Sequence, residues 1–495
     1  MKMRLITTLG AILTLSLFLI PVGSQAAGTT YYIDNTNSSC NDLGTGTTPS
    51  QPFCTITAGK DMAIAGDTVR VLAGTYAEKV RPDIGGVAGS PITYSAAPGV
   101  TVTGDGSASG RGFSVSDLSY ITIDGFNVTQ TSDHGIYVAR SDHIIISNNH
   151  VSYARNQDPL DPYPQRCGIY LSATTDSTIT GNRTDHNTLD GIRLIKSSLR
   201  NTVSNNVSFA NASGVSRSAE GIDVENNSTA NMIIHNIVYA NEDSGLNFVA
   251  DSDPGTGSGS NLVIGNVSYG NGDHGIDNNK SPNNIIIGNT VQGNVTSGIN
   301  LEGEIISTVI YGSGGAIVKN NIVVDNGLCQ YVGGEPIPDT PPGNIRVDAL
   351  STPGTFLDYN LYYLTSGGTQ LIWGTISYSS IEFFHSLFPG QETNGLLGDP
   401  LFTMPAAIAM RPPAPPYNMA VNVGIYYVMS GSPAIDSANS DAPSEPDFDI
   451  LGLPRVDDPL VVNSGSGLRT YDDRGAYEYY GDLILFKVML PLIMR

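Results

Sequence analysis

Residues 221–245 read GIDVENNSTANMIIHNIVYANEDSG, and this kind of unit recurs along the middle of the chain. Each unit starts with a glycine followed by Ile, Leu or Phe, and the intervals between successive glycines are 23, 33, 23, 30, 24, 30 and 23 residues. The coil glycines are Gly112, Gly135, Gly168, Gly191, Gly221, Gly245, Gly275 and Gly298. A base period of about two dozen residues with occasional insertions is typical of a solenoid. The sequence therefore predicts a rod of stacked coils, with its function on the outer faces.

Each coil also carries a local pattern of apolar and polar residues. The first and third residues after the glycine are almost always apolar, with Asn278 as the exception, and the second is usually polar. This period of two predicts a β-strand with one buried face. A second apolar stretch follows, and then two asparagines five residues apart, which we interpret as structural corners whose amides bond from coil to coil. These pairs are Asn182 and Asn187, Asn206 and Asn211, Asn236 and Asn241, Asn266 and Asn271, Asn289 and Asn294, and Asn321 and Asn326.

The chain of 495 residues has a formal net charge of −22. We do not expect nucleic acid as a partner, because phosphate binding needs clustered Lys and Arg. The same charge repels an acidic polysaccharide, so such a substrate requires a bridging cation. Solubility outside the cell explains the charge equally well and needs no ligand.

The first residues are typical of a secretory leader. Lys2 and Arg4 give a positive start, residues 5–20 form an apolar run, and Ser24-Gln25-Ala26 fits a small-residue cleavage site. The run is too short for a good membrane span. We therefore expect a secreted or cell-surface protein, monomeric and without a membrane span in its mature form.

The pattern divides the chain into six parts. They are the leader at 1–26, an N-terminal cap with the first coils at 28–110, the repeats at 111–327, irregular last coils at 328–410, a C-terminal β module at 417–481 and an apolar tail at 482–495. We expect short helices over 56–65 and 379–388. The tail is either a terminal strand or a surface-attachment signal.

Export to an oxidising compartment favours disulfides. Cys40 and Cys54 lie fourteen residues apart in a turn-rich stretch, so we expect them to form a disulfide that fastens the cap. Cys167 and Cys329 lie several coils apart, and their pairing stays open. Insertions at 155–166 and 251–260 break the period, and we expect them to form loops that wall a binding cleft.

Residues at the same distance from the coil glycine form columns, because successive coils stack about 4.8 Å apart. The polar residues gather between the coils of Gly191 and Gly298, which places the candidate site there. The outward second column reads Tyr137, Tyr170, Arg193, Asp223, Asn247, Asp277 and Asn300, the fourth contributes Glu225 and Glu302, and the fifth contributes Lys196 and Lys280.

These columns hold the groups that β-elimination on a uronate requires. Such a reaction needs the carboxylate of the sugar neutralised, which a calcium ion or an arginine does, and it needs a base. We expect Lys280 as the base, Lys196 as the second choice, and Arg193 beside the acids. Tyr137 and Tyr170 are expected to stack on sugar rings. Oxygens for a calcium ion are expected from Asp223, Glu225, Asn247 and Asp277, and further substrate contacts from Asn300 and Glu302.

The coils resemble the parallel β-helix repeat of the pectate-lyase-like superfamily over roughly residues 30–400. The resemblance implies an all-β, right-handed parallel β-helix. The stretch Gly272-Asp273-His274-Gly275-Ile276-Asp277 resembles the calcium-binding coil of family nine polysaccharide lyases, with His274 in the place of its second aspartate. This implies Asp273 and Asp277 as calcium ligands. Residues 266–275 also resemble a mannuronan epimerase coil, and residues 431–436, 449–455 and 474–478 resemble a C-terminal module of exported bacterial β-helix proteins.

Three functions are compatible with these residues. The first is a polysaccharide lyase that acts on an acidic glycan with calcium. The second is a non-catalytic glycan-binding or surface structural rod, because any exposed strand face carries Asp, Asn and Lys. The third is a uronan C5-epimerase or an inverting glycoside hydrolase. An inverting hydrolase needs two carboxyl groups about 6.5–9.5 Å apart, and Asp223 and Asp277, two coils apart, fit that requirement.

Overall fold

The computed structural model describes residues 28–155, 165–214, 217–250, 257–328, 331–332, 335–336, 343–408, 410 and 418–481. The predicted leader, the apolar tail, most of both predicted insertions and Cys329 lie outside these ranges. Within the described chain, no helix is long and apolar enough to cross a membrane.

Three long sheets form the body of the protein, and nearly all their strand pairs are parallel. Sheet I contains Thr30–Ile33, Thr68–Val71, Ile92–Ala96, Ile121–Asp124, Ile145–Ser147, Thr178–Thr180, Thr202–Ser204, Met232–Ile234, Leu262–Ile264, Ile285–Ile287, Ile317–Lys319 and Phe356–Asp358. Sheet II contains Gly74–Tyr76, Val100–Val102, Asn127–Thr129, His150–Ser152, Arg183–Asp185, Val207–Phe209, Ile237–Tyr239, Val267–Tyr269, Thr290–Gln292, Ile322–Val324, Leu361–Tyr363 and Leu396–Leu397. Sheet III contains Phe113–Ser116, Ile136–Ala139, Ile169–Ser172, Ile192–Ile195, Ile222–Glu225, Leu246–Val249, Ile276–Asn279, Ser297–Glu302, Gly343–Val347, Leu371–Trp373 and Ile376–Tyr378.

From Phe113 to Tyr363 each coil contributes one strand to every sheet, whereas the coils before Phe113 contribute to sheets I and II alone. The chain thus winds as a parallel β-helix, as predicted. The strand that follows each coil glycine lies in sheet III. Its first and third residues, such as Ile222 and Val224, are buried and pack in one continuous core with the apolar residues of sheets I and II. The period of two in the sequence thus separates a core face from an outer face.

The asparagine ladders predicted from the sequence are present. Asn206 donates both its backbone N–H and its side-chain Nδ2 to Oδ1 of Asn236, each over 3.0 Å, and Nδ2 also donates to the carbonyl of Ile179 over 2.9 Å. The amides are buried, and their bonds repeat from coil to coil. One ladder runs through Asn149, Asn182, Asn206, Asn236, Asn266, Asn289, Asn321 and Asn360 to Glu392. A second runs through Asn187, Asn211, Asn241, Asn271, Asn294, Asn326 and Asn344 to Gln370.

The two ends of the β-helix are closed by different structural elements. Cys40 and Cys54 form the predicted disulfide in the N-terminal cap. The helix Ile56–Met62 follows, and the side chain of Thr55 accepts a hydrogen bond from its first turn. The helix Ile381–Leu387 buries Ile381 and Phe384 near the last strands of sheet III. Both helices lie within the predicted stretches.

The remaining strands form hairpins: Glu304–Ile306 with Val309–Tyr311, Tyr331–Val332 with Glu335–Pro336, and Phe402–Met404 with Ile425–Val428.

The C-terminal segment packs along the outside of sheet II. Tyr239 and Tyr269 of sheet II share an apolar cluster with Tyr426 and Tyr477 of this segment. Arg474 is buried and donates to the carbonyl oxygens of Asn360, Asn394 and Ser437. Sheet II is therefore covered over its C-terminal half.

Candidate functional site

The outer face of sheet III carries the polar column expected from the glycine spacing. Strand pairing places Tyr137 beside Tyr170, Tyr170 beside Arg193, and Arg193 beside Asp223. The column continues through Asn247, Asp277 and Asn300 and then reaches Arg346. The seven residues of the predicted second column and Arg346, which are far apart in the sequence, thus form one continuous stripe.

Three carboxylates meet at one point of this stripe. One ligand oxygen from each of Asp190, Glu220 and Asp223 lies within 4.8 Å of the others, the one such group among the described residues. Asp223 belongs to the predicted column, whereas Asp190 and Glu220 each directly precede a coil glycine. Of the predicted metal ligands, Asp223 joins this acidic cluster. Its two partners, Asp190 and Glu220, were not predicted.

Arg193 is the cationic neighbour of these acids. Its Nη1 lies 3.2 Å from Asp190 Oδ2, its Nε lies 3.3 Å from Asp223 Oδ2, and its Nη2 bonds Glu225. Burial alone lowers the pKa of Arg193, but the acids outweigh burial and raise it well above its usual value. Arg193 is therefore a permanent positive charge and not a base.

The acids outnumber this single cation, and the excess is buried. Burial and the neighbouring Asp190 raise the pKa of Glu220 well above its usual value. Burial and Glu225 raise the pKa of Asp223 in the same way, against the opposing effect of Arg193. Asp223 Oδ2 accepts no hydrogen bond, because the Arg193 Nε–H points off the line between them. Such a group takes up protons or a further cation.

The next coils form a second polar cluster in the same column. Asn300 donates to Asp277 Oδ1 over 2.7 Å, and Arg346 donates to Asn300 Oδ1 over 2.6 Å and to Glu302 Oε2 over 2.8 Å. Burial and Glu302 raise the pKa of Asp277 well above its usual value. Asn247 lies between the two clusters and donates to Asp223 Oδ1 over 3.0 Å.

The stretch that resembles a calcium-binding coil is arranged differently from the acid cluster. Asp273 Oδ2 pairs with Arg217 Nη2 at 2.8 Å, and its Oδ1 accepts from the hydroxyl of Thr296. His274 is buried, and burial lowers its pKa to about 4, so the imidazole is neutral. Asp273 and Asp277 do not join a group of three acids in the described chain.

Both predicted lysine bases lie at the corner beyond the ends of their strands. Lys280 and Lys196 have φ angles of 54° and 57°, in the left-handed region. The ammonium of Lys280 lies 2.9 Å from Glu304 Oε2 of the adjacent hairpin, and Lys196 is exposed. Acting as a base would therefore require the Lys280–Glu304 pair to open.

The two predicted sugar-stacking tyrosines stack on each other. Their ring centroids are 5.5 Å apart with an interplanar angle of 7°. The guanidinium of Arg111 lies 3.6 Å from the ring centroid of Tyr137, and the ring of His134 lies 4.4 Å from that of Tyr170. These neighbours occupy part of the ring faces, so we expect the tyrosines to use their edges and hydroxyls toward a ligand as well. Stacking of the rings on a sugar stays a prediction.

Asp190, Glu220 and Arg346 were missed by the sequence argument. Asp190 and Glu220 occupy equivalent positions, since the N–H of Gly168 bonds the carbonyl of Asp190 and that of Gly191 bonds the carbonyl of Glu220. Extending each column one residue before the glycine would have found both. Arg346 lies beyond the last regular glycine, in a coil that has Asn344 at the position of Gly298 and therefore no glycine to mark its start.

Comparison with known proteins agrees with this architecture. The family model described as a right-handed β-helix region matches residues 92–256. Pectate lyase Pel9A superposes with a TM-score of 0.52 at 16% identity, covering 92% of this chain and 97% of that chain. A rhamnogalacturonan lyase gives 0.48 at 17%, with 76% and 91% covered, and the Azotobacter vinelandii mannuronan C-5 epimerase AlgE4 A-module gives 0.38 at 14%, with 68% and 89% covered. No curated protein matches the sequence. The chain is a right-handed parallel β-helix repeat protein, and the resemblance to the pectate-lyase-like proteins is confirmed at the level of the fold.

Proposed function

We propose that this protein is a secreted, carbohydrate-active β-helix protein that cleaves an acidic polysaccharide by calcium-assisted β-elimination. The observation that carries the proposal is the cluster of Asp190, Glu220 and Asp223 on the outer face of sheet III, with a buried carboxylate oxygen that accepts no hydrogen bond. The likeness in fold to pectate lyase Pel9A supports it. The leader-like N-terminus and the Cys40–Cys54 disulfide support export.

The donor set fits a calcium ion. Calcium takes six to eight oxygen ligands and accepts waters among them. Asp190, Glu220 and Asp223 would hold it, because each offers one oxygen within 4.8 Å of the other two. Arg193 already bonds Glu225, so the guanidinium keeps an ionic partner when a metal cation takes its place beside the three acids.

When bound, calcium would neutralise the carboxylate of the uronate and so acidify the adjacent C–H. Arg193, permanently charged, would bind the same carboxylate or stabilise the charge that develops on it. Lys280 is the candidate base, provided that Glu304 releases its ammonium. Tyr137 and Tyr170 would orient the sugar with their hydroxyls, and Asn300 and Glu302 would contact it further along the stripe.

The proposal is tested by incubating the mature protein with pectate, alginate and related uronates, with and without calcium. The ultraviolet absorbance of unsaturated products measures β-elimination. We expect a calcium-dependent signal that falls at least 100-fold in Asp223→Asn and in Lys280→Ala. Asp176→Asn is the matched control, because Asp176 pairs with Arg200 outside the stripe. Retention of a glycan without any product would instead identify a non-catalytic binding rod, and this result would overturn the proposal.

Inverting glycoside hydrolysis is the second candidate. Asp223 and Asp277 lie two coils apart in one column, and both have raised pKa values. At about 4.8 Å per coil this gives roughly the separation that an acid and a base need around a water. New reducing ends without ultraviolet absorbance, lost in both Asp223→Asn and Asp277→Asn, would favour hydrolysis over elimination.

A further inference from the structure

A cluster of basic and aromatic side chains lies on sheet II, outside the site already described. Strand pairing places His150 beside Arg183, and Asp185 lies on the same strand as Arg183. Tyr153 and His186 directly follow their strands, and their rings stack with centroids 5.0 Å apart. Arg183, Tyr153 and His186 are exposed. These residues form an open surface, which we call the Arg183 patch.

A buried carboxylate, that of Asp185, holds the basic side chains of this patch. Asp185 Oδ2 lies 2.7 Å from His150 Nε2 and 2.8 Å from Arg183 Nε, and its Oδ1 lies 2.7 Å from His186 Nδ1. Burial alone raises the pKa of Asp185, but these hydrogen bonds outweigh burial and hold the pKa well below its usual value. Asp185 therefore stays ionised and fixes the basic groups in position.

Arg183 keeps free the part of its guanidinium that recognises an anion. Its Nε donates to Asp185, whereas its terminal nitrogens donate to no acceptor within the described chain. The carbon of the guanidinium lies 4.7 Å from the ring centroid of Phe209, and this contact holds the group at the surface of the sheet. A free guanidinium edge pairs well with a carboxylate.

An aromatic surface and a cavity adjoin this guanidinium. The cavity has a volume of about 260 Å³, and its walls include Tyr153, His186 and Ala210 of the β-helix and Met419 and Val421 of the C-terminal segment. Pockets that bind small ligands combine aromatic walls with a few polar groups and usually hold about 300–1,000 Å³. The smaller cavity here suits a single sugar of a longer chain.

We propose that the Arg183 patch is a second binding site for acidic polysaccharide, and that this site needs no metal ion. The choice of ligand rests on the proposed function, whereas the binding does not depend on the reaction. Arg183 pairs with the carboxylate of a uronate. The second ring nitrogens of His150 and His186 bond sugar hydroxyls, and Tyr153 contacts the sugar ring.

The charges around the two sites are opposite, which favours an acidic ligand here. In the patch, the basic side chains of His150, Arg183 and His186 surround the one carboxylate of Asp185. At the acid cluster, three carboxylates surround the guanidinium of Arg193. An anionic chain therefore meets a favourable surface at the patch without the bridging cation that the acid cluster requires.

The test is a binding measurement by calorimetry in the presence of EDTA, which removes calcium. Polygalacturonate and alginate are the probes, and fully methyl-esterified polygalacturonate is the uncharged comparison. We expect the wild type to bind an acidic probe and to bind the ester at least 10-fold more weakly. Arg183→Ala should weaken the binding of the acidic probe at least 10-fold. Arg200→Ala is the matched control, because the Arg200 side chain is 55% exposed against 52% for Arg183 and also pairs with an aspartate.

Tyr153→Asn tests the aromatic part of the patch and keeps every charge. Asparagine tolerates the left-handed backbone of this position, where φ is 56°, and we expect binding at least 5-fold weaker. Circular dichroism and the unfolding midpoint establish that each variant is folded.

The inference would be overturned if the wild type bound neither acidic probe in EDTA, or if Arg183→Ala and Arg200→Ala had the same affinity. Because the measurement contains no calcium and follows no product, a failed lyase assay leaves its result interpretable.

Discussion

The asparagine ladders and the acid stripe of sheet III are both columns of buried polar residues built by the same stacking. In the ladders, Asn236 both donates and accepts, so every amide is satisfied by its neighbours and carries no charge. At the acid cluster beside the stripe, Asp223 and Glu220 can only accept when ionised, and one oxygen of each lies within 4.8 Å of the other and of Asp190. Amides therefore repeat without limit along the rod, whereas stacked carboxylates need a proton or a cation from outside. The ladders are therefore complete by themselves, whereas the acid cluster has a charge that the protein alone does not balance.

We expect the largest change in stability when one amide is removed from a ladder. Asn236→Ala removes the acceptor of the backbone N–H of Asn206 and of one N–H of its Nδ2, which keeps its bond to the carbonyl of Ile179, and it removes the side-chain donor to the carbonyl of Val203. Unsatisfied buried groups cost about 1–3 kcal/mol each, so we expect a loss of about 4 kcal/mol in the free energy of unfolding. Denaturant titration measures it. Asn422→Ala, at an exposed asparagine outside the left-handed backbone region, should change stability by less than about 0.5 kcal/mol; an equal loss in both variants would contradict the role of the ladder.

The first ladder ends at a buried carboxylate, because Asn360 donates to Glu392. This end tests how a carboxylate behaves in the same surroundings as the amides. Burial raises the pKa of Glu392 to about 7. The folded state then holds a proton that the unfolded state loses above about pH 4.3, so stability falls as the pH rises from there to about 7. Glu392→Gln removes this penalty. We expect it to be about 3 kcal/mol more stable than the wild type at pH 8 and equally stable at pH 4, measured by denaturant titration at both values.

Calcium should supply the positive charge that the buried carboxylates of the acid cluster lack. A ligand that binds the folded state alone stabilises it by about 2.7 kcal/mol at 100 times its dissociation constant. We expect calcium to raise the unfolding midpoint of the wild type at neutral pH, and to have little effect on the double variant Asp190→Asn with Glu220→Gln. A calcium shift of the same size in the double variant would place the binding elsewhere in this acidic chain.

The smallest expected change in stability is that of a substitution at Asp223. Its raised pKa means that the wild type loses stability as the pH rises above the range in which an unfolded aspartate ionises, about pH 4. Asp223→Asn should flatten that slope and, without calcium at neutral pH, leave the protein as stable or more stable by on the order of 1 kcal/mol. Activity and stability would then change in opposite directions. A destabilised Asp223→Asn would show that the stripe is a structural element like the ladders.

The sequence predicts columns well because backbone pairing fixes them. Glycine spacing was sufficient to place Tyr170, Arg193 and Asp223 side by side, and the asparagine spacing was sufficient to predict the ladders. It could not show that the chain bends at each glycine, which puts Asp190 on the same side as Arg193, with 3.2 Å between their charged atoms.

Strand alternation also fails beyond the strand ends. Lys280 was placed in the fifth column by counting, yet its left-handed backbone lies at the corner and its ammonium binds a hairpin carboxylate that no periodicity indicates. The tyrosines were correctly aligned, but only coordinates show that each ring covers its neighbour. Alignment along the rod is thus a property of the repeat, and the direction of each side chain is a property of its surroundings.

The ladders have a consequence for how such a protein can change. Links from Asn182 to Asn206, Asn206 to Asn236 and Asn289 to Asn321 span 24, 30 and 32 residues, yet the three amide bonds measure 3.0, 3.0 and 2.9 Å. Chain length between the links is therefore free to vary, because the extra residues leave the rod at its corners. Loops at these corners can therefore be lengthened, shortened or exchanged without disturbing the strand pairing or the amide bonds that hold successive coils together.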